Sequence, residues 1–138
     1  MFRNKMLIVV ITLFLFAMIS GGCGIQKNST EKIRDLDFTV LEEMDVPEKL
    51  MEKIEERKAD DFKMTYREGD SLYIARGFGM QETGGYSIQV KEFYLTDNAV
   101  YFEADLLGPQ SRQDAGKAAS YPYIVIKTER LEENVVFE

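Results

Sequence analysis

At 138 residues, with a net charge of −7 and 45% hydrophobic and 12% aromatic residues, the chain suits one domain with an ample core and disfavours a nucleic-acid partner. It has no histidine and one cysteine, which excludes Ser-His-Asp and Cys-His nucleophile systems, histidine-bearing metal sites and an intramolecular disulfide.

Residues 1–22 read as a secretory signal: Arg3 and Lys5, an apolar run from Met6 to Ile19, then Ser20-Gly21-Gly22 before Cys23. The run is shorter than the about 20 apolar residues of a membrane-spanning helix. Ile19-Ser20-Gly21-Gly22-Cys23 resembles the lipobox of bacterial lipoproteins, with Ser20 where that family usually has leucine. The resemblance implies a lipidated Cys23 and a protein anchored in the cell envelope, outside the cytoplasmic membrane. Acylation also removes the one thiol from catalysis and from zinc binding. The mature chain is then left with 15 basic against 24 acidic residues, a net charge of −9.

Residues 23–35 are polar and aperiodic, which predicts a lipidated tether, and residues 36–138 are expected to fold. Leu36, Phe38 and Val40 alternate, predicting a first strand over 36–43. Asp45-Val46-Pro47-Glu48 has the acidic cap, early proline and returning glutamate of a helix start. The helix is predicted over 46–58, with Leu50, Met51 and Ile54 as its apolar stripe.

From Phe62 the period becomes two. Phe62, Met64 and Tyr66 lead through Glu68-Gly69-Asp70 into Leu72 to Phe78, a predicted hairpin. A second hairpin joins 86–95 to 99–107 around Asp97-Asn98, a pair that tolerates the left-handed backbone of tight turns. Val100, Phe102, Ala104 and Leu106 are expected to face inward, and Tyr101, Glu103 and Asp105 outward. Residues 108–120 read as a mobile loop; strands over 121–128 and 135–137 follow, the latter beyond Glu132-Glu133-Asn134. The whole predicts an α+β, mainly β fold: an antiparallel sheet assembly, a small sandwich or open barrel, with one packed helix.

Of chemistry-bearing patterns, the carboxylate pairs Glu42-Glu43, Asp60-Asp61 and Glu132-Glu133 are the residue types of glycosidases or calcium sites. Neighbours on a strand face opposite ways, so spacing favours solvated charge. No metal and no cofactor is expected.

Two features remain as candidate binding or turn residues. Thr83, Gly84, Gly85 and Tyr86 form a polar turn entering a strand. The glycine pair suits either an anion-binding nest or a turn in which both residues take unusual φ. Second, all seven tyrosines lie between Tyr66 and Tyr123. Core pairing competes with a partner surface, in which Tyr101 is the expected exposed aromatic, joined by Tyr86, Tyr94, Tyr121 or Tyr123.

Thr83-Gly84-Gly85-Tyr86-Ser87-Ile88, the following hairpin, Gly108-Pro109 and Ser120-Tyr121-Pro122-Tyr123-Ile124-Val125 resemble the PrcB-type protease-complex subunit family, in its C-terminal domain. The likeness covers about 72–128, and the Phe38-Thr39-Val40 and Pro47 region also looks like lipoprotein members. It implies a mainly β envelope lipoprotein, related to a non-proteolytic subunit of a surface protease, and brings no catalytic site. The expected function is a lipid-anchored, non-catalytic accessory or binding module, with an envelope protein or protease as partner. A small-ligand or ion-binding lipoprotein is the alternative.

Overall fold

The computed structural model describes residues 30–138; the expected signal segment and Cys23 lie outside the described residues. Strands β1 (Arg34–Asp35), β5 (Ser87–Leu95), β6 (Ala99–Leu107) and β8 (Asn134–Phe137) form one sheet in that order. Strands β2 (Thr39–Val40), β7 (Tyr123–Glu129), β4 (Ser71–Phe78) and β3 (Asp61–Glu68) form the second. The helix α1 spans Glu48–Arg57, and a single helical turn, α2, spans Arg112–Ala115. Neighbouring strands run antiparallel except β6 and β8, which are parallel because the chain crosses from the second sheet to the first between them.

Period-two patterning explains the layers. On β4, Leu72 and Ile74 turn toward the first sheet and join Ile124 and Ile126 of β7 against Phe93, Val100 and Phe102. The alternate residues, Tyr73 and Ala75, meet Val46, Leu50 and Ile54 on the other side. β4 is therefore covered on both faces, which is why its sequence is apolar nearly throughout. Phe102 is the hub between the sheets, edge-on to Phe93 at 6.0 Å and to Phe137 at 5.8 Å.

Leu50 and Ile54 of α1 are buried, and each contributes roughly 1.5–3 kcal/mol by leaving water. The result is three layers, a two-sheet sandwich with a helix on one side. The expected mainly β fold with one packed helix is borne out, and the sheets do not close into a barrel.

Local readings depart at four places. Of the strand expected over 36–43 only β2 forms, because the chain is changing sheets there: β1, just before it, pairs with β5, and β2 pairs with β7. Arg34–Asp35, read as tether, is thereby part of a sheet. Helix α1 begins two residues late, with Pro47 at its N-cap and no side-chain cap; Asp45 belongs instead to a 3-10 turn over Glu43–Asp45.

In the β5–β6 turn neither Asp97 nor Asn98 has positive φ. The buried Thr96 hydroxyl accepts from the Ala99 N–H at 3.0 Å and the Asn98 N–H at 3.4 Å, closing the turn without left-handed backbone. Finally, the segment 108–120, read as mobile, contains α2. Ser111 caps that turn by accepting from the Asp114 N–H at 3.1 Å.

Candidate functional site

The glycine pair belongs to a unit made from two distant loops. Gln81 and Ser120 form an isolated bridge, with N···O distances of 2.8 and 3.0 Å in the two directions. The Ser120 hydroxyl donates to the Thr83 carbonyl at 2.6 Å. These bonds hold α2 over the glycines.

Gly85 has φ +81, and a β-carbon there would strike the Asp114 carbonyl and lie 2.9 Å from Pro109 Cβ. Gly84 lacks a positive φ, contrary to the expectation for both residues; its need is space, since a β-carbon there would lie 3.1 Å from the Ala115 carbonyl oxygen. Carbonyl oxygens, the negative ends of peptide dipoles, thus face the pair. That surrounding suits close packing of two loops better than an anion nest. The Tyr86 ring lies beside Gly108, so the quoted stretches 83–88 and Gly108-Pro109 are neighbours in space.

The tyrosines do not converge on one patch. Tyr94 and Tyr101, paired in register on the outer face of the first sheet, stack at 5.1 Å with planes 7° apart. Tyr101 is only 4% exposed, which corrects its reading as the exposed aromatic. It points away from the inter-sheet core as expected, yet it lies between Tyr94 and Val136 in the sheet. The Lys32 ammonium stands 5.0 Å above the Tyr94 ring. Partial burial, then Glu138, pushes the Tyr94 phenol above the ordinary tyrosine value.

Tyr123 lies on the helix side of the second sheet, where its hydroxyl donates to Met51 Sδ at 3.9 Å. Burial, reinforced by Glu43 and Glu55, raises its pKa. Tyr121 is 39% exposed, with Lys58 Nζ 5.7 Å from its ring.

The carboxylates are dispersed. Asp61 pairs with Arg76 at 2.9 Å, and Glu132 with Arg130 at 2.6 Å; hydrogen bonding to Arg130 holds the Glu132 carboxyl below its usual range. Among the described residues no group of three or more His, Cys, Asp or Glu is placed to hold a metal.

An open groove of about 620 Å³ runs along β2, with Phe38, Asp37, Asp45, Asp70, Lys127 and Glu129 among its lining residues; Glu129 is paired with Arg34 at 2.6 Å. No sequence signal marks it, because its acids come from separate segments brought together by the crossing of the chain between sheets. Thr96 was also missed; its signal is a threonine preceding Asp97-Asn98 between two alternating runs.

Residues 72–129 match the family model of the PrcB C-terminal region. The match runs from β4 through β7 and contains both clipped loops, so the resemblance drawn from the motifs is borne out over that segment. No curated protein and no solved structure matches the chain.

Proposed function

With residues 72–129 a PrcB C-terminal region, we propose that the chain is a lipid-anchored, non-catalytic accessory subunit of the cell envelope that associates with a surface protease. The observation that carries the reading is the family match over residues 72–129, which contains both loops of the Gln81–Ser120 clip. Its marker glycines serve loop-on-loop contact. Lack of histidine throughout the chain and the pairing of Asp61 and Glu132 with arginines support a binding role. Cys23, following small residues and an apolar run, supplies the anchor.

Crosslinking on native membranes followed by mass spectrometry tests the partner. A specific envelope protease, or a protein bound to one, is the expected product, and recovery of no specific protein overturns the reading. Loss of membrane fractionation and of fatty-acid labelling in Cys23→Ser tests the anchor.

The acidic groove along β2 favours one further reading, a binder of small cationic ligands or ions. Ligand that binds only the native state raises the melting temperature. A flat thermal-shift response to calcium, polyamines and basic peptides removes it.

A further inference from the structure

Three of the four sheet edges are short: β1 and β2 have two residues each and β8 has four, whereas β3 has eight. A short edge gives a foreign strand little to pair with, while a long one is a template. Among the described residues β3 pairs with β4 alone. Alternate residues along its outer rim therefore present backbone N–H and C=O groups that no strand takes up.

Two hollows flank this rim. One, of about 380 Å³ between β3 and α1, is lined by Leu50, Lys53, Glu56, Arg57, Met64 and Tyr66. The other, of about 330 Å³ between β3 and β8, is lined by Lys63, Arg67, Glu132, Val135 and Phe137. A strand laid along β3 sends successive side chains to opposite faces, hence alternately into the two hollows.

The charge of the rim is distinctive. Lys53, Arg57 and Lys63 make no side-chain hydrogen bond or ion pair among the described residues. Arg67 is held by the Leu131 and Glu133 carbonyls at 2.8 and 3.0 Å and lies 4.0 Å from Glu132, which pairs more closely with Arg130 at 2.6 Å. Glu56 in the first hollow and Glu68 at the end of β3 are likewise unpaired, so in a chain with 24 acidic and 17 basic residues this edge sets three unpaired cations against two unpaired acids, around floors of mixed polarity.

We propose that β3 is a docking edge that takes up an extended acidic segment of a partner protein as a further strand of the second sheet. The proposal rests on reading the chain as an accessory module. Backbone hydrogen bonds supply affinity; the hollows select apolar and acidic side chains. A second copy of this chain suits the edge less, because it brings the same cations to the seam.

The full-length chain in detergent is titrated with a fluorescent peptide of about ten residues alternating glutamate and valine, read by anisotropy. Saturable binding is expected, with no binding of the lysine-valine twin or of a peptide N-methylated at alternate backbone nitrogens. Arg57→Glu with Lys63→Glu is expected to weaken binding about tenfold or more without lowering the melting temperature. If that pair unfolds the protein, Lys53→Gln with Lys63→Gln carries the same comparison.

Absence of binding, or binding that survives N-methylation or the charge changes, overturns the proposal. A dimer formed through β3 also overturns it and assigns the edge to a second copy. Crosslinks on native membranes separate this inference from the accessory reading. A specific partner linked only at positions remote from β3 overturns the docking edge alone, no partner overturns the accessory reading, and links from Lys53 or Lys63 support both.

Discussion

Gly85 lies under the carbonyl of Asp114, in a left-handed conformation at φ +81 and with no room for a β-carbon. Conformation and contact reinforce each other, because the backbone turn that brings residue 85 to this point also exposes its bare α-carbon to the second loop. Gly85→Val is expected to destabilise the fold by about 1–3 kcal/mol from backbone strain, with a further loss from the clash. Gly84→Ala, which meets only the Ala115 oxygen, is expected to cost less. Urea denaturation orders the two; equal stability of wild type and Gly85→Val refutes the packing role.

The Tyr94–Tyr101 stack divides unequally between its members. Tyr101 is buried and Tyr94 half-buried, so Tyr101→Ala is expected to cost about 3 kcal/mol and Tyr94→Ala clearly less. A double-mutant cycle should return a coupling of about 0.5–1.5 kcal/mol for the ring pair. Zero coupling means the rings merely share a surface.

Thr96 is the hinge pin of the β5–β6 hairpin. Thr96→Val keeps the shape and deletes the acceptor for the Ala99 N–H, at an expected cost of about 1–3 kcal/mol. Thr96→Ser restores the acceptor and is expected to recover most of that loss. Thermal denaturation of the three proteins checks the order.

Alkaline pH probes Tyr123. Burial foremost, with help from Glu43 and Glu55 and against Lys58, lifts its phenol above the ordinary 10.0, so the folded state holds the proton more tightly than the unfolded chain. The associated stability is complete below about pH 10 and is lost as pH rises through the folded value. Tyr123→Phe is expected to flatten the alkaline limb of the stability profile; Tyr94, raised in the same direction, retains its share. An unchanged slope in the variant rules out this linkage.

What the sequence disclosed depended on whether the cause was local. The β3–β4 hairpin, the inward set Val100, Phe102 and Ala104, and the Leu50–Ile54 stripe follow from periodicity and turn residues, which act over a few positions. The stubs β1 and β2 are too short to show a period, and what makes them strands is a pairing with β5 and β7 across the chain. Tyr101 looked exposed because alternation gives its face and says nothing of the neighbours that cover that face. The glycine pair was legible as special, whereas the partner explaining it lies in a loop whose order comes from Gln81 and Thr83. The long β3 edge was readable as a strand; its position at the rim of the sheet was not.

The clip between the two loops also bears on survival. On the accessory reading proposed above the protein stands within reach of a protease, and cleavage requires a stretch of backbone to open and thread into the enzyme. The segment 108–120 is the natural target by length and composition. Three hydrogen bonds join Ser120 to Gln81 and Thr83, and α2 is seated on Gly84 and Gly85. Opening it means unfastening both loops together, so this pair of glycines helps make a vulnerable stretch a poor substrate.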